Sequence, residues 1–60
     1  MRLKRMRREA QMTRHALAKR AGVTHNHIKK IEEGISSPTV AMLEKLAKAL
    51  GVTVVDLVKR

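Results

Sequence analysis

Four threonines, three glycines and one proline punctuate this chain at intervals that leave room only for short helices. Thr13, Thr24, Thr39 and Thr53 each stand before a helix-compatible run. A threonine hydroxyl at that position can accept a hydrogen bond from an otherwise unpaired N–H of the first turn. Gly22, Gly34 and Gly51 stand where the runs end, as left-handed C′ residues do. Pro38 disfavours helical geometry at Ser37, so Ile35-Ser36-Ser37-Pro38 is a connection. The punctuation predicts helices at about 14–21, 25–32 and 40–49. A last short helix follows Thr53 and Asp56, a Thr-x-x-Asp variant of the capping box. A first helix ends near Ala10–Gln11.

Apolar residues fall at helical spacing within these segments. Leu3, Met6 and Ala10 give the first an apolar edge, and Met12 follows as a buried link. Leu17, Ala18 and Ala21 face inward on the second, with Val23 packing behind it. Ile28 and Ile31 mark the third. Val40, Leu43, Leu46, Ala47 and Leu50 mark the fourth, and Val54, Leu57 and Val58 the last. The chain has no cysteine and no aromatic residue. A core of Leu, Ile, Val, Ala and Met suits helices better than strands, which favour β-branched and aromatic side chains. Sixty residues make one domain, 1–60, with no room for a second. The expected fold is all-α, a compact bundle of five helices. A chain this short buries only about 60% of the surface it exposes when unfolded, so its stability is marginal.

Charge narrows the partner. Residues 1–30 carry ten Lys/Arg against one acid, Glu9, whereas residues 31–60 carry four against Glu32, Glu33, Glu44 and Asp56. The whole excess of +9 therefore lies in the first half. Such a one-sided charge points to a polyanion, above all nucleic acid. Solvation alone needs less, and a membrane-surface helix would need a Trp-, Phe- or Leu-rich face that the first helix lacks. No apolar run approaches the ~20 residues of a membrane span, and MRLKRMRRE is not followed by a signal-peptide core. The chain reads as soluble and cytoplasmic, nucleoid-associated in a bacterium.

The segment 13–34 is two helices joined by Gly22-Val23-Thr24, the length and glycine content of a helix-turn-helix. In that unit the second helix presents its N-terminal residues to the major groove. Taking Ile28 and Ile31 as the inner direction, Asn26, Lys29, Lys30 and Glu33 point outward, and His25 lies at the tip. Asn can bond adenine at N6 and N7 together, and Lys can donate to guanine O6 and N7. His25, Asn26, Lys29 and Lys30 are the expected base readers. Glu32 and Glu33 form an acidic exit, expected to tilt out of the groove or to pair with Lys29 or Lys30. Arg14 and His15 open the second helix, where free N–H groups and the positive dipole end favour phosphate. Ser36 and Ser37 can also donate to phosphate. Lys4, Arg5, Arg7 and Arg8 are expected to form a solvated basic face.

Taken together, Leu17-Ala18, Ala21-Gly22-Val23-Thr24, Ile28-Lys29-Lys30-Ile31-Glu32-Glu33-Gly34, Pro38-Thr39 and the run from Leu43 to Val52 resemble the Cro/lambda-repressor-like helix-turn-helix family, also called the xenobiotic-response-element type. The likeness covers nearly all of residues 3–59. It implies a five-helix lambda-repressor-like DNA-binding domain whose third helix reads the major groove. It implies base contacts at His25, Asn26 and Lys30. Phosphate contacts follow at Arg14, Thr24 and His27, with the backbone N–H of Ser37. The chain departs from the family pattern at five positions. Gln is usual where Arg14 stands, a glycine is frequent near Gln11, and a basic residue is frequent near Ile35. Val55 and Met42 occupy positions that are commonly polar. Ile35 is left either to touch a thymine methyl or sugar or to cover the core edge. Val55 and Met42 either form a small dimer patch or extend the core.

The expected function is sequence-specific binding of double-stranded DNA, as a transcriptional regulator or an engineered binder, since clean caps are also what idealised design favours. A monomer or weak homodimer on DNA fits the absence of a separate dimerisation segment. The alternative is a protein-interaction module, antitoxin-like or polymerase-contacting, in which the basic face grips an acidic protein. Catalysis finds no support. His15, His25, His27 and five carboxylates make no nucleophile–base–orienter set, and His25 and His27 point to different helix faces, a poor pair for a metal. No cofactor, metal or small-molecule substrate is expected.

Overall fold

The computed structural model describes residues 1–59 and contains five helices among them. These are α1 (Leu3–Glu9), α2 (Arg14–Ala21), α3 (His25–Glu32), α4 (Val40–Leu50) and α5 (Val54–Val58). The boundaries follow the punctuation. The hydroxyls of Thr13, Thr24, Thr39 and Thr53 accept from the N–H groups of Ala16, His27, Met42 and Asp56, at 3.0–3.1 Å. The Asp56 carboxylate accepts in return from the Thr53 N–H at 3.0 Å, which completes the capping box.

The first four helices end alike. A residue of positive φ is followed by an apolar residue whose N–H reaches back five positions. These bonds run from Met12 to the Arg7 carbonyl, Val23 to Ala18, Ile35 to Lys30 and Val52 to Ala47, at 2.9–3.1 Å. This is the six-to-one bond of a Schellman ending. Glycine supplies the positive φ at Gly22, Gly34 and Gly51, but Gln11 supplies it after α1, at φ 58°. Met12, Val23 and Val52 pack against the core. Ile35 is 70% exposed, so it does not cover the core edge.

Each helix contributes one side chain to the centre. Leu3, Leu17, Ile28, Leu46 and Leu57 come one from each of α1 to α5 and are the largest fully buried side chains. Burial of a side chain of this size contributes roughly 1.5–3 kcal/mol relative to exposure. Ala18, Ala47 and Ala49 complete the buried set with Ile31. α2 lies against both α3 and α4, and α5 closes on α4 and α1. The N–H of Arg2 donates to the Leu57 carbonyl at 2.7 Å, fastening the start of the chain to α5.

Several inward expectations shift. Val40 is 68% exposed, at the capped start of α4 where the core has not yet been reached, and Ala49 is buried instead. Ala10 and Val58 are exposed, each at or beyond the end of its short helix. Met42 packs against the core, whereas Val55 is exposed, so the two do not form one patch.

Two charged residues overturn their sequence assignments. Arg7 is buried rather than solvated, and the Glu32 side chain is fully buried rather than an exposed acidic exit. The partners of Glu32 are Arg7 and Arg14, not Lys29 or Lys30. The reason is helical phase. At ~100° per residue, Arg7 lies about 40° from Leu3, and Glu32 about 40° from Ile28. Both therefore project toward the core side of their helices, and each needs the other.

Candidate nucleic-acid interface

Because Ile28 and Ile31 turn inward, α3 shows its opposite face to solvent. Asn26, Lys29 and Lys30 are exposed there, while His25 and His27 are half-buried. Thr24 holds the first turn by accepting from the His27 N–H at 3.1 Å. That contact uses a lone pair of the hydroxyl, so its proton remains available to a phosphate oxygen.

The sequence-derived site residues fall into two groups flanking the start of α3. On one side Thr24, Asn26, His27, Lys30 and Ser36 line a cleft of about 320 Å³. The Schellman ending of α3 places Ser36 here, because the Lys30 carbonyl receives the N–H groups of both Ile35 and Ser36. On the other side the His15 ring stacks on the His25 ring, and the charges of Arg14 and Lys29 act on His25. Ser37 borders neither group. It faces a separate cavity of about 310 Å³, shared with Met1, Leu3 and Pro38 among others.

Electrostatics favour an anion over this surface. Burial of the ring, followed by the charges of His15, Arg14 and Lys29, lowers the His25 pKa below the ordinary imidazole value. One of the two acids at the end of α3, Glu32, is withdrawn from solvent. Burial pushes the Glu32 carboxyl up, but hydrogen bonds from Arg7 and Arg14 and their charges outweigh it and hold its pKa below the usual carboxylate range. Arg14 donates to Glu32 through Nε at 2.9 Å. Among the described residues its terminal nitrogens have no hydrogen-bond partner, which leaves that end of the guanidinium for a phosphate. Glu33 stays exposed at the far end of the helix.

Sequence reasoning missed Arg7 and Glu32 as parts of this site. They tie α3 to α1 and α2 and hold Arg14 by its Nε. The helical phase given above was the available signal. Among the described residues no three His, Cys, Asp or Glu side chains gather as metal ligands would. The two histidines of the first turn of α3 go separate ways, His25 to the stack and His27 to the cleft.

A family model for helix-turn-helix domains matches residues 3–57, all five helices but for the last residue of α5. The chain belongs to the helix-turn-helix family. The helix-turn-helix unit is α2 and α3, joined through Gly22 at φ 72°. This helix-turn-helix chain is also similar to the uncharacterized HTH-type transcriptional regulator y4dJ of Sinorhizobium fredii (strain NBRC 101917 / NGR234). The two are 41% identical over 54 residues, which cover 90% of this chain and 70% of that protein. No solved structure matches the chain. Among the described residues no helix is long and apolar enough to cross a membrane.

Proposed function

We propose that this protein is a sequence-specific binder of double-stranded DNA that regulates transcription, with α3 seated in the major groove. The observation that carries the reading is the division of labour on α3. Asn26, Lys29 and Lys30 are exposed without an acid among them, while Glu32 is buried and neutralised by two arginines. Glu32 lies on the core side of α3, and the outward acid, Glu33, comes only after its last residue, so the N-terminal end that would enter a groove carries no acid. Family membership and the regulator from Sinorhizobium fredii support the same reading.

In this reading Asn26, Lys29 and Lys30 read base edges, with His25 at their margin. Arg14, His15, Thr24, His27, Ser36 and Ser37 contact the sugar–phosphate backbone and set the register. Exposed Ile35, next to Ser36, is placed to touch a thymine methyl or sugar. Binding, not catalysis, is the role, and it belongs where the DNA is, in the cytoplasm or a bacterial nucleoid. The protein acts as a monomer or as a weak homodimer formed on the DNA.

Selection from a random duplex pool at fixed salt tests this. Recovery of a defined motif is expected, a single half-site for a monomer or a spaced inverted repeat for a dimer. Affinity should fall with salt, with a log–log slope near −0.9 per phosphate neutralised. Equal binding to all duplexes, unchanged by Asn26→Ala, would reject sequence reading.

A further inference from the structure

Two histidines from different helices lie face to face at the margin of the reading surface. His15 stands in the first turn of α2, and His25 is the first residue of α3. Their rings are parallel within 1°, with centroids 3.8 Å apart. The other charged groups acting on His25 are cations, Arg14 from α2 and Lys29 from α3. The acid of the same network, Glu32, is taken up by Arg7 from α1 and by Arg14. Among the described residues no carboxylate pairs with either ring.

This arrangement suits neutral imidazoles and resists protonated ones. Two imidazolium rings at stacking distance repel each other, so one proton on the pair disfavours a second. At His25 burial, followed by the charges of His15, Arg14 and Lys29, disfavours a proton. A phosphodiester reverses these terms. Its charge offsets Arg14 and Lys29, and its oxygens accept from an imidazolium N–H.

We propose that His15 and His25 form one backbone-binding unit that takes up a single proton from solvent as a DNA phosphate docks against it. The inference rests on the DNA-binding reading. It moves His25 from base reading to the backbone and makes DNA affinity depend on pH. By linkage, a proton taken up on binding means that acid strengthens binding, because each ligand favours the other. The unit is sequence-independent, so its contribution is the same on every duplex.

The test measures affinity for a pool of random-sequence duplex, about two helical turns long, at constant ionic strength. The pH is varied from about 5.5 to 8, the range in which imidazole charge changes. Affinity is expected to rise as pH falls, by up to about tenfold per pH unit, the limit for one linked proton. The double variant His15→Gln/His25→Gln should bind with a nearly flat profile. His27→Gln, which removes the third imidazole, should bind more weakly but keep the slope. Proton NMR titration of the histidine rings in the unaltered protein gives an answer independent of any variant. One ring of the pair should titrate at higher pH with DNA present than without it. Binding with a flat wild-type profile, or a slope that survives the double variant, overturns the proposal and leaves DNA binding intact. No binding at any pH overturns both.

Discussion

The Arg7 guanidinium grips the Glu32 carboxylate through two parallel hydrogen bonds, Nε to Oε2 at 2.7 Å and Nη2 to Oε1 at 3.1 Å. The same arginine donates through Nη1 to the Met12 carbonyl at 2.8 Å. One side chain of α1 thus holds the last residue of the reading helix and the link that leads into α2. Arg14 completes the arrangement from α2.

Breaking this pair should be costly. Loss of one partner of a buried ion pair costs about 3–5 kcal/mol, because the other is left buried and uncompensated. A domain of this size holds only about 3–9 kcal/mol in total. Arg7→Met should fall toward the low end, since Arg14 still donates to Glu32. Glu32→Gln, which strands two arginines, should fall at the high end. Thermal unfolding followed by circular dichroism reads the loss. The combined Arg7→Met/Glu32→Leu variant should recover most of it, since apolar replacement of a buried pair is often neutral. Single variants that melt like the wild type would mean that the pair is not buried in solution.

Acid should unfold the domain through the same carboxylate. The folded-state pKa of Glu32 is lowered relative to its free value of about 4.3. Its stabilising contribution is therefore fully present above that value and is lost as pH falls through the lower folded pKa. Asp56 is lowered too, by the Thr53 N–H, then by the Thr53 hydroxyl, and it acts in the same direction. Melting temperature should be level near neutrality with respect to these groups and fall below about pH 4. Asp56→Asn should leave most of that fall in place. A melting temperature flat to pH 2 would contradict the assignment.

Gln11→Gly should stabilise the protein. Gln11 occupies the left-handed region at φ 58°, where a β-carbon costs about 1–2 kcal/mol. Glycine removes that cost and adds back roughly 0.5–1 kcal/mol of unfolded-state entropy. A net gain of about 0.5–1 kcal/mol is expected on these two terms. It should appear as a higher urea midpoint with an unchanged slope. A lower midpoint would show that the Gln11 side chain makes a compensating contact.

Asn26→Ala and Thr24→Ala should weaken DNA binding in different ways. Loss of a base-reading amide costs roughly 1–3 kcal/mol on the preferred duplex and relaxes preference at one position. Loss of the Thr24 cap removes about 1 kcal/mol of stability and weakens binding to every duplex alike. Thr24→Ser should restore both properties. Comparing the preferred duplex with random duplex separates the two effects.

Thr13, Thr24, Thr39 and Thr53, with Gly22, Gly34 and Gly51, made the helix boundaries legible before any coordinates. A cap acts within three residues of itself, so a linear reading suffices for it. The outward placement of Asn26, Lys29 and Lys30 was legible for a similar reason: Ile28 and Ile31 fix the phase of one helix. Arg7 shares a face with Leu3, but a charge on that face is buried only if a distant partner meets it, and Glu32 lies 25 residues away. The His15–His25 stack could not be read at all. Nothing within α2 or α3 alone says how the two first turns approach each other.

The sequence by itself determined five helices, their ends, an aliphatic core and a basic first half without aromatic residues. These follow from local hydrogen bonding, periodicity and charge, which need no knowledge of distant neighbours. Tertiary structure alone decided which charges are free. It placed Arg7 and Arg14 on Glu32, left Lys29 and Lys30 open to solvent, and laid His15 on His25. A charged side chain is defined by its partner and its access to water, and both are set when helices far apart in the chain pack together.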